Sequence, residues 1–320
     1  METLIAATPD FSVVIPVYFN EGSLTKLVQI MQEQVISVFP DKQFEYVFVD
    51  DGSQDGSYRE LQAIKVQSTV PVTLVKLARN FGQVPAMMAG YAHARGKAVI
   101  NMSADLQDPP ELICQMIRHH LDEHFHIVIC TRESREEGYY RRVTSKLFYN
   151  LMKKLSFKNM PQGGFDFVLI SGMVKDLILS NQEANPFWQG QILWPGFKVK
   201  WIPYRRNKRE IGISRWTFSK KIKYLLDGVL AYSYVPIRMM SLIGVFVALA
   251  GFLYTIVIII NWALGNSPFT GWSPLMIVIL LLSGLQMIMT GLIGEYVWRT
   301  LDQVKNRPLY VIERIEPPQI

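Results

Sequence analysis

The sequence predicts an α/β domain on a mainly parallel sheet, followed by amphipathic interfacial helices and two transmembrane helices. Three observations carry this prediction. Strand-like and helix-like segments alternate through roughly the first 170 residues, the pattern of strands joined by crossover helices. A basic stretch with interspersed aromatics follows, Tyr204 to Tyr234. From Met239 to Gly294 there is then no Asp, Glu, Lys or Arg.

The first strand is read at Ser12 to Val17 (SVVIPV), a β-branched run ended by Pro and Asn. Phe44 to Val49 is the second, ended by Asp50-Asp51-Gly52-Ser53. Val72 to Leu77, Ala98 to Met102 and Ile127 to Cys130 follow. Helical patterns fill the gaps: Leu24 to Phe39, Ser57 to Gln67, Val84 to Ala94 and Glu111 to Leu121. Ligands of such sheets bind beyond the carboxyl ends of the strands. Asp50, Asp51 and Asp105 all fall at or just past those ends.

Tyr204 to Arg215 (YRRNKREIGISR) is strongly basic. Trp216 to Tyr234 mixes Lys220, Lys221 and Lys223 with Phe218, Ile222, Tyr224, Leu225 and Leu226, as a helix lying on a membrane surface does. Tyr140 to Phe157 has a similar character. Two apolar spans, Met239 to Leu264 and Pro274 to Trp298, each exceed the ~20 residues that cross a bilayer core. Basic residues flank both spans, and the joining segment Gly265 to Ser273 has none. Both termini and the N-terminal domain are therefore expected in the cytoplasm, with the chain a multi-pass protein of the inner membrane. Trp262, Trp272 and Trp298 stand at span ends, where interfacial aromatics belong. The expected division is 1–210, a cytoplasmic α/β domain; 211–236, a basic interfacial segment; 237–300, two membrane helices; and 301–320, a cytoplasmic tail.

Composition excludes several classes. Two cysteines, Cys114 and Cys130, make no disulfide framework. A chain that is 49% hydrophobic is not disordered, and the charge-free run is foreign to an ordinary cytosolic enzyme. The net charge of +6 is accounted for by membrane flanks and phosphates, so no nucleic-acid partner is expected. The run His119-His120 to His126 looks metal-like but falls at a helix end and reads as solvated surface.

Two motifs carry chemistry. Asp50 to Ser57 (DDGSQDGS) leaves a strand and opens a helix, with carboxylates able to accept bonds from a base or ribose and glycines for the turn. Ser103 to Glu111 (SADLQDPPE) follows the fourth strand. The Asp105 carboxylate and the Gln107 amide oxygen, two residues apart, can face one Mg2+ or Mn2+ ion, a cation completed by substrate phosphates. Asp108 reads as the cap of the helix that Pro109-Pro110 begins.

With Pro16-Val17-Tyr18, Arg79-Asn80-Phe81-Gly82-Gln83 and Ala89-Gly90, these motifs resemble the family 2 glycosyltransferases of the GT-A (Rossmann-like) fold. More narrowly, the layout is similar to the polyprenyl-phosphate glycosyltransferases, including phage-type bactoprenol glucosyltransferases and dolichol-phosphate mannose synthase. The resemblance implies nucleotide contacts at Pro16, Tyr18, Glu21, Asp50, Asp51, Ser103 and Ala104. It implies cation and diphosphate contacts at Asp105 and Gln107. It places Arg132, Arg141 and Ser145 near an acceptor phosphate, Asp166 near the sugar, and Arg209 and Arg215 in a basic loop over the phosphates. The partners it implies are a UDP-sugar, a polyprenyl phosphate lipid and the membrane, and a homo-oligomer is compatible with it.

Four positions depart from the family pattern. Ser103 replaces the first carboxylate of the Asp-x-Asp motif. Asn20 stands where a Glu is usual, leaving Glu21 beside it. Gly212-Ile213-Ser214-Arg215 replaces Gly-x-Ser-Lys, and Val168 replaces the Arg of Asp-Phe-Arg-Leu. The implied reaction is transfer of one sugar, UDP-glucose being the leading donor, with inversion. A lipid phosphate is already an anion and needs no general base. The alternatives are a processive polysaccharide synthase, whose Gln-x-x-Arg-Trp signature is missing before Arg215-Trp216, and a non-catalytic scaffold that binds sugar nucleotides.

Overall fold

The computed structural model describes residues 8–132, 161, 164–181, 183–205, 227–264 and 273–319. The chain forms two compact units, Met1–Asp227 with Pro308–Ile320, and Gly228–Arg307.

The first unit is an eight-stranded sheet. Its strands are β1 (Phe11–Val17), β2 (Phe44–Asp50), β3 (Val72–Leu77), β4 (Ala98–Asn101), β5 (Ile127–Arg132), β6 (Val168–Ser171), β7 (Val199–Tyr204) and β8 (Ile312–Glu316). They lie in the order β7-β5-β6-β4-β1-β2-β3-β8. The helices are α1 (Leu24–Gln34), α2 (Ser57–Gln67), α3 (Gln83–His93), α4 (Leu112–Asp122), α5 (Gly172–Ser180) and α6 (Trp188–Leu193). Among the described residues, four of the seven strand pairings are parallel. The sheet is thus mainly parallel, as expected.

β1 and β2 are buried nearly throughout, which is why they read as unbroken apolar runs and not as alternating ones. Phe11, Val13, Ile15, Tyr46 and Phe48 join one core with Leu27 and Met31 of α1 and Met116 and Ile117 of α4. α3 packs against β1 and β2. Gly90 makes that approach possible: a Cβ there would lie 2.3 Å from Val14 Cγ1 and 3.2 Å from Val49 Cγ2.

Three features go beyond the sequence reading. The helix expected over Leu24 to Phe39 stops at Gln34, and Ile36–Val38 form a 3-10 turn. Val35 leaves helical geometry at φ −120°, and Pro40 disfavours helix at the residue before it. β5 does not pair with β4, because β6 lies antiparallel between them. Within the segment expected as a cytoplasmic tail, β8 pairs antiparallel with β3 and forms the sheet's last strand. It is fastened by the Glu316 carboxylate, which accepts bonds from Tyr58 Oη at 2.9 Å and Gln62 Nε2 at 3.0 Å.

The second unit holds α7 (Val235–Ala263) and α8 (Ser273–Val304). The most apolar 18-residue stretches within Val235–Asn261 and Leu275–Val304 have mean hydropathies of 2.7 and 2.3, and neither is buried. Both helices are long and apolar enough to cross a membrane. Cations stack on aromatics at the matching ends, Arg238 on Tyr234 and Lys305 on Trp298.

Candidate active site

Parallel strands bring their carboxyl ends to one edge, and the loops that follow β1, β2, β3 and β4 meet there. The first two are laced together by side chains. Phe19 N donates to Ser53 Oγ at 3.1 Å, Asn20 N to Ser57 Oγ at 2.9 Å and Gly22 N to Glu60 Oε2 at 2.6 Å. Gly56 N donates to Glu21 Oε2 at 2.9 Å. The bond is close enough that a Cβ on Gly56 would collide with the Glu21 carboxylate. The Glu21 carboxylate thus fastens the loop that opens α2. Ser23 Oγ reaches Asn20 O at 2.8 Å and Ala104 O at 3.2 Å, tying this pair of loops to the one after β4.

Asp50 and Asp51 are both buried, with different tasks. Asp51 accepts from Phe81 N at 2.7 Å and Gly82 N at 2.9 Å. It thereby holds the Arg79–Gln83 loop that enters α3. Burial pushes the Asp51 carboxyl up to about 6, against the opposing pull of those two N–H groups. Asp50 accepts from Ser53 N at 3.2 Å through Oδ1, while its buried Oδ2 has no partner among the described residues. Burial raises its pKa as well. Pro16 lies within β1 opposite Val49, and the Tyr18 ring packs edge-on against Phe19 at 4.7 Å.

Past β4 the chain turns sharply. Leu106 has φ +56°, a left-handed backbone that is uncommon for a side chain of this size. The turn sets Asp105, Gln107 and Asp108 side by side in buried positions next to Ser103 and Ala104. Asp105 Oδ1 accepts from Ser103 Oγ at 2.8 Å and Gln107 N at 3.2 Å. Asp108 does not serve as the expected cap. The N-cap position of α4 is Glu111, and no side chain caps that end. The Asp108 carboxylate instead accepts from Ser103 Oγ at 2.7 Å and Tyr204 Oη at 2.5 Å. The donors at Ser103, Asp105 and Gln107 are oxygens only, the chemistry a hard divalent cation prefers when phosphates complete its shell. Among the described residues no group of three or more His, Cys, Asp and Glu could hold a metal, so a cation here would depend on that completion.

Arg132 ends β5, and Asp166 lies two residues before β6, which runs antiparallel and so starts at the same edge. The two form an ion pair. Burial works against the Arg132 charge, but Asp166, Asp108 and Tyr204 outweigh it and keep the guanidinium protonated. Asn101 Nδ2 donates to Asp166 O at 2.7 Å, and Gln189 Nε2 to Phe165 O at 2.7 Å. Asp166 is thus pinned on both sides.

The structure brings Pro16, Tyr18, Glu21, Asp50, Asp51, Ser103, Ala104, Asp105, Gln107, Arg132 and Asp166 to the loops at this edge or the strand ends beneath them. Arg141, Ser145, Arg209 and Arg215 lie outside the described residues. Asn101, Tyr204 and Gln189 were not singled out by sequence reasoning. Tyr204 carried one signal, since it closes the strand VKWIPY directly before the basic run. The histidine run does not gather: His120 Nδ1 bonds Phe125 O, and His126 Nδ1 bonds Ser171 Oγ.

Comparison with known proteins identifies the family. Residues 12–176 match the family described as glycosyl transferase family 2. An uncharacterized glycosyltransferase of Bacillus subtilis, YkcC, is 33% identical over 95% of this chain and 93% of its own. The bactoprenol glucosyl transferase of Shigella phage SfII is 34% identical over 95% of this chain and 97% of its own. Among solved structures, glucosyl-3-phosphoglycerate synthase of Mycobacterium tuberculosis aligns over 69% of this chain and 81% of its own, at 18% identity and a TM-score of 0.48. The chain belongs to the family 2 glycosyltransferases and is an enzyme of that class.

Proposed function

We propose that this enzyme transfers one sugar from a nucleotide sugar to the phosphate of a polyprenyl lipid at the cytoplasmic face of a membrane. UDP-glucose is the leading donor, and the transfer inverts the anomeric carbon. The observation that carries the reading is the order of elements: a family 2 sheet, two helices long enough to cross a membrane, and then β8, which returns to the same sheet. A chain that ends in the sheet it began must come back to the side it left, which two crossings satisfy. The basic residues flanking both spans support the cytoplasmic side. The name of the Shigella phage relative supports a polyprenyl acceptor and glucose.

On this reading Pro16, Tyr18 and Asp50 receive the nucleotide, and Asp51 holds the loop beside them. Asp105 and Gln107 would hold a Mg2+ or Mn2+ ion, with Ser103 beside them. Such an ion, when bound, neutralises charge on the departing diphosphate. Arg132 attracts the acceptor phosphate, and Asp166 keeps its guanidinium oriented. Arg141, Ser145, Arg209 and Arg215 add to the phosphate-binding set. No side chain has to remove a proton, because the nucleophile is an anion at neutral pH; positioning and charge do the catalysis. The test is purified full-length protein with Mn2+, polyprenyl phosphate and a panel of labelled sugar nucleotides. Label from one donor is expected in the lipid phase. If none of the panel puts label there, the reading fails.

A further inference from the structure

We propose that Asp108 and Tyr204 are positioning residues that let the neutral Ser103 hydroxyl stand in for a missing carboxylate at the cation site. The inference rests on the reading above for the presence of a cation, and on geometry for the rest. Ser103 Oγ lies 2.8 Å from Asp105 Oδ1 and 2.7 Å from Asp108 Oδ2. A hydroxyl has one proton and cannot give it fully to both. Asp108 is completely buried and accepts Tyr204 Oη at 2.5 Å on its other oxygen. The Arg132 guanidinium also bears on Asp108 electrostatically. Asp108 is thus a fixed, well-supported acceptor of the Ser103 proton.

Asp105 Oδ1 competes for the same proton. With a divalent cation held at Asp105, Ser103 would give its proton to Asp108 and keep its lone pairs for the Asp105 side. Tyr204 fixes Asp108, Asp108 orients Ser103, and the hydroxyl becomes an oxygen donor without adding a third negative charge. A carboxylate at position 103 would need no such support. The tyrosine closes β7 and the aspartate lies beyond β4, so the chain of bonds joins strands that are not neighbours in the sheet.

The test measures free Mn2+ by electron paramagnetic resonance during titration of full-length protein with UDP present. Tyr204→Phe and Asp108→Asn are expected to raise the Mn2+ dissociation constant about 10-fold, as loss of an outer hydrogen-bond partner does. In the transfer assay the Mn2+ concentration for half-maximal rate should move more than kcat does. Adding Ser103→Asp to Asp108→Asn should recover most of the Mn2+ affinity, which a folding defect would not allow. The proposal is overturned if both single variants bind Mn2+ like the parent, if the double variant binds no better than Asp108→Asn, or if the parent binds no Mn2+. A parent that binds Mn2+ but transfers no sugar would count against the proposed function and leave this inference to be judged by the titrations alone.

Discussion

The carboxylate of Asp51 is anchored to the backbone of Gly82, its Oδ2 accepting the Gly82 N–H at 2.9 Å while Oδ1 accepts that of Phe81. The Asp-Asp pair after β2 is therefore split in role, one acid building the loop after β3 and the other keeping a buried oxygen that no described residue bonds. The pH dependence follows from the Asp51 pKa of about 6. That value lies above the usual carboxylate value, so the folded state binds this proton more readily than the unfolded state. Wild type should gain stability relative to Asp51→Asn as pH falls through 6 towards 4, and lose it as pH rises. Melting temperatures of the two proteins at pH 7.5 and 5 check the sign; a difference that does not vary with pH contradicts it.

Gly52 is the hinge of that assembly. Its φ is +70°, and a Cβ would lie 2.6 Å from the Arg79 carbonyl carbon and 2.8 Å from Asn80 N. Neither backbone atom can swing aside as a side-chain tip could. Gly52→Ala should cost about 2 kcal/mol or more through strain and displacement, and weaken UDP binding more than tenfold. Calorimetric titration with UDP reads this directly. Gly244→Ala, at a glycine with open space around it, is the control expected to leave UDP binding unchanged.

Much of this was legible in the sequence, for local reasons. β1 to β5 and α2 to α4 announce themselves by apolar runs closed by Pro, Gly and Asp, and the loop acids fall where those runs end. What was not legible depends on partners far along the chain. Asp108 before Pro109-Pro110 satisfies every local rule for a cap, yet its bonding partner Tyr204 is 96 residues away. β6 inserts between β4 and β5 only because it pairs with both, which no segment periodicity reveals. β8 is a short strand of alternating charge, IERIE, and such a sequence suits an edge that must not recruit another chain.

The position of β8 makes a prediction about the C-terminus. Val311 O accepts from Ala78 N at 2.9 Å, and Lys76 pairs with Glu313 at 2.9 Å, so the strand braces β3 up to the start of the Arg79–Gln83 loop. Stopping the chain after Arg307 should lower the melting temperature by several degrees and weaken UDP binding, with the membrane helices intact. Glu316→Gln should do far less, because its ion pair and hydrogen bonds are partly exposed. A truncated protein as stable as the parent would show that β8 is dispensable.

The Arg132–Asp166 pair predicts a split between substrates. Arg132→Lys retains charge but loses the planar fork, and Asp166→Asn removes the partner that orients it. Each should raise the KM for the lipid phosphate about tenfold, equivalent to 1.4 kcal/mol, and leave the donor KM close to that of the parent. Steady-state kinetics with one substrate varied at a time checks this. Equal changes in both KM values would assign the pair to general architecture.

The central claim is that the nucleophile is the phosphate on a lipid, and one measurement tests it most directly. Purified enzyme, Mn2+ and the labelled donor that gives transfer are supplied in parallel with polyprenyl phosphate and with the unphosphorylated polyprenol of the same length. Label is expected in the lipid phase only with the phosphate, in a product whose mass equals polyprenyl phosphate plus one sugar residue. Equal labelling of the alcohol, or a product carrying several sugars, would contradict the account.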